Sequence, residues 1–188
     1  TVLMSQAEMM QIETKYDMTI SVEQYLKIIY RKTASLIEST CAIGAGLNPV
    51  LKDRAAVFGE FGGKTGFVFQ ITDDVFDYLG DERRLGKPTG QDWEEGRITL
   101  PLIAALENAS AAESKTLLDG AESLAVDERK SYWPEIKAFV MKHGGVDAAR
   151  DMARVYGEEA KQAITPVARG VQKDLLAVSV EYVLKRLN

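Results

Sequence analysis

Apolar residues recur every three or four positions along most of this chain, which is the spacing of amphipathic helices. No stretch alternates apolar and polar residues with the two-residue period of a β-strand. Ser21 and Gln24 form a capping-box pair at one predicted helix start. The pattern predicts an all-α fold, with helices over residues 1–13, from Ser21 to Gly44, and from about Pro49 into an aspartate-rich stretch. Four further helices are predicted to begin at Pro101, Pro134, Asp147 and about residue 168.

Three details of these helices carry specific expectations. The four glycines at positions 59, 62, 63 and 66 would weaken an isolated helix, so we expect another helix or a ligand to approach closely there. Asp147 is predicted to be an N-cap, since aspartate side chains accept hydrogen bonds from the first amides of a helix. The last helix, about residues 168–187, is expected to pack its apolar side chains inward, namely Val171, Leu175, Leu176, Val178, Val180, Val183 and Leu184.

Four polar residues stand out among large apolar ones in the aspartate-rich stretch. Helical spacing places Gln70, Asp73, Asp74 and Asp77 on one face. If this face is partly desolvated, two carboxylates at ~4 Å repel by about 4 kcal/mol at an effective dielectric of 20, which a cation would offset. Oxygen ligands without nearby histidine or cysteine favour Mg²⁺ before Ca²⁺ or Zn²⁺. The alternative for these residues alone is a solvated acidic face.

A glycine-rich basic loop follows the acidic face directly. It contains Lys87 within GKPTG, and then Asp92, Gly96 and Arg97. Carboxylates that hold Mg²⁺, followed by cations on a tight loop, are typical of a site for a Mg²⁺-bridged polyphosphate.

Composition narrows the possible classes of protein. The chain has 188 residues and 46% hydrophobic content, which excludes an intrinsically disordered chain and predicts one domain over residues 1–188. The net charge of −5 argues against nucleic acid as the main partner. A single cysteine, Cys41, allows no internal disulfide and fits a reducing compartment. No 18-residue apolar run is present, so we expect no transmembrane segment and a cytoplasmic location.

The runs FQITDDVFD and GKPTGQDWEEGRITLP resemble the second aspartate-rich motif and the following loop of trans-polyprenyl diphosphate synthases. The resemblance extends over nearly the whole chain, from Lys32-Thr33 to the run GGVDAARDMARVYGEEA. Nothing in residues 1–61 supplies the first aspartate-rich motif of that family. The resemblance therefore implies the C-terminal part of an isoprenoid-synthase-type helical bundle.

The resemblance also implies an activity and the residues that perform it. The activity is the Mg²⁺-dependent head-to-tail condensation of isopentenyl diphosphate with an allylic prenyl diphosphate. The implied Mg²⁺ ligands are Asp73, Asp74 and Asp77, and the implied catalytic residues are Asp73, Asp74, Lys32 and Lys87. The allylic diphosphate would contact Lys32, Thr33, Gln70, Lys87 and Arg97, and the allylic pocket would include Glu8 and Gln11.

Two other functions remain open from the sequence: a non-catalytic helical subunit that modulates a partner synthase, and an enzyme similar to terpene cyclases. The loop pattern favours the chain-elongating synthases. The family resemblance further implies a homodimer. With one metal-binding helix of the two that ionisation requires, we expect the 188-residue chain alone to be inactive and to expose apolar helix faces.

Overall fold

Helices supply all the regular structure in the residues that the structure describes, which are 1–79, 89–125, 128–167 and 169–187 of a computed structural model. This confirms the predicted all-α fold. A π-helical turn lies at Tyr30–Ala34, and short 3₁₀ turns at Lys52–Arg54 and Arg129–Tyr132 precede two later helices. Helices α1 to α10 are Val2–Glu13, Val22–Ile29, Ser35–Gly46, Ala55–Leu79, Gln91–Glu94, Leu100–Asn108, Ala111–Glu122, Trp133–Lys142, Gly145–Ile164 and Gly170–Lys185.

The chain divides into two compact units. The first unit comprises Thr1–Met10, Leu26–Thr72 and Asp151–Asn188. The second unit comprises Gln11–Tyr25 and Asp73–Arg150. A single domain over residues 1–188 therefore stays a prediction. Among the residues described, no helix is both long and apolar enough to cross a lipid bilayer.

In the first unit, glycines of α4 allow α3 and the π-helical turn to approach closely. A Cβ atom at Gly62 would lie 2.7 Å from the carbonyl oxygen of Ile37. A Cβ atom at Gly66 would lie 2.5 Å from the Cα atom of Ala34. The sequence predicted the close approach of a helix or a ligand, and in the structure α3 and the π-helical turn occupy the space that these glycines leave.

A small apolar cluster completes the core of the first unit. Phe61 of α4 packs with Ala160 and Ile164 of α9 and with Val180 of α10. Partly buried side chains surround this cluster, among them Cys41, Leu176 and Leu184. Only one face of α10 therefore meets the core.

Three sequence predictions about helices are wrong in detail. The aspartate-bearing helix begins at Ala55 rather than near Pro49, because a 3₁₀ turn precedes it. Asp147 does not cap a helix, since α9 already begins at Gly145, after Gly144 has turned the chain with a φ of 66°. The opposite face of α10 is exposed rather than packed, with Val171, Leu175 and Val178 at 68%, 64% and 60% exposure.

The capping-box prediction at the start of α2 is confirmed. The backbone N–H of Ser21 donates to the side-chain oxygen of Gln24 at 2.9 Å. In return, the backbone N–H of Gln24 donates to Oγ of Ser21 at 3.2 Å. Both amides would otherwise lack a partner within the helix, so the pair fixes where α2 begins.

Candidate active site

Helix α4 carries the predicted acidic residues on its last two turns, but their surroundings differ. Asp73 is exposed to solvent. Asp74 is only 4% exposed, and its Oδ2 accepts a 2.6 Å hydrogen bond from the hydroxyl of Tyr25. The neighbouring carboxylates are therefore not equivalent: Asp73 faces solvent, whereas Asp74 is held inside the second unit.

Asp77, near the end of α4, contacts the start of α5. Its two carboxylate oxygens accept hydrogen bonds from the backbone N–H groups of Gln91 and Asp92, each at 3.0 Å. Its own carbonyl oxygen accepts the N–H of Gly90 at 3.1 Å. Because Gln91 and Asp92 begin α5, the Asp77 side chain acts as an acceptor at the N-terminus of that short helix.

Burial and charge make the ionised form of Asp77 costly. Desolvation and the neighbouring charge of Asp92 raise its pKa to about 6, against the lowering effect of the three backbone N–H donors. A cation near this carboxylate would oppose both effects. Asp77 therefore combines a fixed position with an ionised form that a cation would stabilise.

Arg97, a predicted diphosphate ligand, lies beside two carboxylates. Its Nε donates to Oδ1 of Asp92 at 2.7 Å, and one terminal nitrogen contacts Glu95. Burial lowers the pKa of this guanidinium, but the charges of Asp92 and Glu95 outweigh burial and raise it. A diphosphate that binds Arg97 must share it with these carboxylates.

The first unit brings together a second group of predicted residues. Lys32 and Thr33 lie in the π-helical turn, a type of helix defect that is frequent at functional sites. The hydroxyl of Thr33 donates to Oε1 of Gln70 at 2.6 Å. Nζ of Lys32 lies 4.0 Å from Oε1 of Glu8. The structure thus pairs these four residues as Thr33–Gln70 and Lys32–Glu8.

The remaining predicted residues are Gln11 and Lys87. Gln11 is partly exposed and belongs to the second unit, whereas Glu8 belongs to the first. Lys87, with the glycine and proline on either side of it, lies outside the described residues.

The donor set of α4 fits a hard cation that brings some of its own oxygen ligands. Within the described ranges, no three histidine, cysteine or acidic side chains are close enough to hold a metal ion. Asp73 and Asp77, one helical turn apart on α4, offer two carboxylates. Mg²⁺ typically uses one or two carboxylates together with water and phosphate oxygens. The pair therefore fits Mg²⁺ bound with a diphosphate.

Sequence reasoning missed the role of Tyr25. The sequence places it among the apolar residues of α2, and it is 3% exposed, as such a residue should be. Its hydroxyl nevertheless reaches Asp74, which is 49 residues away along the chain. No local signal in the sequence pairs the two residues.

The chain is similar to a protein-family model and to several known proteins. The polyprenyl synthetase family model matches residues 1–132. Component 2 of the heptaprenyl diphosphate synthase of Bacillus subtilis (strain 168) is 31% identical over 179 residues, which are 95% of this chain and 50% of the relative. A short chain isoprenyl diphosphate synthase of Methanothermobacter thermautotrophicus is 32% identical over 181 residues, which cover 96% and 54% of the two chains.

Solved structures give the same result for the fold. The crystal structure of heptaprenyl diphosphate synthase from Staphylococcus aureus superposes with a TM-score of 0.88 at 28% identity, over 100% of this chain and 57% of that one. A polyprenyl synthase from Caulobacter crescentus CB15, complexed with calcium and isoprenyl diphosphate, has a TM-score of 0.82 at 25% identity, over 99% and 56%. The chain spans about half the length of the curated relatives it matches. The chain belongs to the polyprenyl synthetase family.

Proposed function

We propose that this chain is the part of a polyprenyl diphosphate synthase that carries the second aspartate-rich motif. The synthase would condense isopentenyl diphosphate head-to-tail with an allylic prenyl diphosphate, in a Mg²⁺-dependent reaction. The observation that carries this proposal is the pair Asp73 and Asp77 on α4, in a chain of this family. The pair combines an exposed carboxylate with a partly buried one, whose ionised form a nearby cation would stabilise.

The proposal gives the three aspartates two different roles. Asp73 and Asp77 would bind Mg²⁺, which when bound neutralises charge on the departing diphosphate. Asp74 was expected to be a third ligand, but its burial and its bond to Tyr25 support a positioning role within the second unit. The calcium in the Caulobacter structure supports a divalent cation for the family member it was found in, and we extend this to Mg²⁺ here.

The cationic and polar residues would bind the allylic diphosphate. Lys32 would contribute an ammonium group from the π-helical turn, and Thr33 with Gln70 would offer an ordered hydroxyl and amide. Lys87 and Arg97 are proposed as further diphosphate ligands, and Glu8 and Gln11 as residues of the allylic pocket. Arg97 would contact the diphosphate while its Nε remains on Asp92.

In the proposed reaction these residues would stabilise the negative charge that develops on the diphosphate. Cleavage of the allylic C–O bond leaves its electron pair on the diphosphate and an allylic cation on the chain. The double bond of isopentenyl diphosphate then forms the new C–C bond, and loss of a proton completes the product. Lys32 and Lys87 would stabilise the charge that develops on the diphosphate, where each 1.36 kcal/mol of stabilisation is worth about tenfold in rate.

A chimera tests this function while the rest of the enzyme stays native. The matched half of the Bacillus subtilis component 2 would be replaced by this chain, and the chimera assayed with the native relative's partner and substrates. We expect incorporation of labelled isopentenyl diphosphate into a longer product, and loss of that activity in the Asp73→Asn chimera. A folded chimera without activity would reject the synthase function and favour a non-catalytic subunit.

The 188-residue chain by itself is expected to be inactive, because one metal-binding helix leaves most of the leaving-group charge uncompensated. Product formation by the isolated chain would contradict that expectation. A cytoplasmic homodimer remains part of the proposal, and sedimentation of the active chimera would test the assembly.

A further inference from the structure

Tyr16 has an unusual backbone conformation in the turn between α1 and α2. Its φ is 63°, and among the residues described it is the one non-glycine residue with a positive φ. Left-handed backbone is unfavourable for a bulky side chain, and it persists where the surroundings fix it. The contacts of Tyr16 therefore need an explanation beyond local sequence preference.

The surroundings that fix Tyr16 come from the segment after α5. The backbone N–H of Tyr16 donates to the carbonyl oxygen of Gly96 at 2.8 Å, and its hydroxyl donates to the carbonyl oxygen of Glu94 at 3.2 Å. The ring covers Gly96, whose φ is 77° and where a Cβ atom would lie 2.6 Å from the ring. The guanidinium carbon of Arg129 lies 4.0 Å from the centroid of the Tyr16 ring, which is a cation–π contact.

The segment that Tyr16 holds leads directly to the candidate metal ligand. The N–H of Arg97 donates to the carbonyl oxygen of Asp92 at 2.7 Å, and the Arg97 side chain bonds the Asp92 carboxylate. The N–H of Asp92 in turn donates to Oδ2 of Asp77 at 3.0 Å. Three hydrogen bonds thus connect Tyr16 to the carboxylate of Asp77: Tyr16 to Gly96, the next residue Arg97 to Asp92, and Asp92 to Asp77.

The other end of the segment is also held by an aromatic ring. Gly90 has a φ of 83°, and a Cβ atom there would lie 2.6 Å from the indole of Trp133. Between the two glycines, Trp93 is 2% exposed and its indole N–H donates to the carbonyl oxygen of Arg129 at 2.7 Å. Residues 90–97 are therefore fixed at both ends and in the middle.

We propose that Tyr16 is a positioning residue that clamps residues 90–97 and thereby orients Asp77 and Arg97 for Mg²⁺–diphosphate. The functional part of this inference rests on the proposed function. The clamp itself is a property of the second unit and can be measured without ligand or turnover.

Hydrogen exchange tests the clamp with three variants of this chain. Tyr16→Phe keeps the ring and loses the hydroxyl, whereas Tyr16→Asn tolerates the left-handed backbone and loses the ring. Tyr182→Asn is the matched control, because Tyr182 is 71% exposed on α10. We expect the amides of Asp92 and Arg97 to exchange about tenfold faster in Tyr16→Asn, with the amides of α9 unchanged.

Two results would overturn the clamp: unchanged exchange at both amides in Tyr16→Asn, or equally faster exchange throughout α9. The first result would mean that the ring does not hold the segment. The second would mean that Tyr16 acts on global stability alone. Tyr16→Phe should retain most of the protection, and Tyr182→Asn should match the wild type.

Calorimetry with inorganic pyrophosphate and Mg²⁺ tests the positioning role. We expect Tyr16→Asn to bind about tenfold more weakly than the wild type, since a site that must be ordered on binding loses affinity. Equal affinity of the two proteins would reject positioning. If the wild type does not bind pyrophosphate, the proposed function fails, while hydrogen exchange still decides the clamp.

Discussion

The closest approach of α4 to the π-helical turn makes Gly66→Ala the sharpest single test of the fold around the diphosphate residues. The new methyl group would lie 2.5 Å from Cα and 2.9 Å from Cβ of Ala34. Ordinary contact between carbon atoms is roughly 3.5 to 4.0 Å, so the two segments must separate by about 1 Å. Thr33, which is adjacent to Ala34, would move away from Gln70 in the process.

The expected free energy follows from two opposing effects. Replacing glycine by alanine inside a helix stabilises it by about 1 kcal/mol. Overpacking against backbone costs about 1–3 kcal/mol, and occasionally more. We expect a net loss of up to about 2 kcal/mol for Gly66→Ala. The same change at Gly44 of α3, where nothing lies within 4 Å, should instead stabilise the protein by about 1 kcal/mol.

Urea unfolding followed by circular dichroism measures this difference. The two variants should have unchanged slopes and midpoints displaced in opposite directions. Thermal unfolding should agree, with roughly 2–4 °C per kcal/mol for a chain of this size. Equal stabilisation by both substitutions would refute the close approach of α4 to the π-helical turn.

Three further predictions concern single hydrogen bonds. Ser110→Ala should destabilise the protein by about 1 kcal/mol in urea unfolding, because Ser110 caps α7. The hydrogen bond from Lys142, with those from Ser110, lowers the pKa of Glu113 to about 2 from 4.5. The stability difference between wild type and Glu113→Gln should therefore be full above pH 4.5 and disappear as the pH falls towards 2 in a pH series of unfolding curves. Thr33→Val should cost about 1 kcal/mol by removing the hydrogen bond that Oε1 of Gln70 accepts from Thr33, whereas Thr33→Ser should be close to wild type in the same assay.

Features marked by a local pattern or by the family resemblance were predictable from the sequence. The capping box of Ser21 and Gln24 forms because both partners lie within one helical turn. The glycines of α4 indicated the close approach of a helix or a ligand, because each weakens an isolated helix, and α3 fills the space at Gly62. Thr33 and Gln70 were assigned to one site by family resemblance, and they do contact each other.

Contacts that neither a local pattern nor the family resemblance marks were not predictable. Asp73 and Asp74 are the same residue type in one motif, yet only Asp74 is buried, where it accepts a hydrogen bond from Tyr25 of α2. The sequence of α10 has apolar residues on every face of the helix. It therefore does not indicate that Val180 faces the core while Val178 is exposed. The contact of Arg97 with Asp92, and of Asp92 with Asp77 across 15 residues of chain, is likewise not specified by any local pattern.

The central claim is that α4 binds Mg²⁺–diphosphate through Asp73 and Asp77. Isothermal titration calorimetry of the 188-residue chain with farnesyl diphosphate, with and without Mg²⁺, tests it most directly. We predict binding that requires Mg²⁺, is lost in Asp73→Asn, and is unchanged in Asp151→Asn, a control that alters an exposed aspartate on α9. Binding that is independent of Mg²⁺, or equal in Asp73→Asn and the wild type, would contradict the claim.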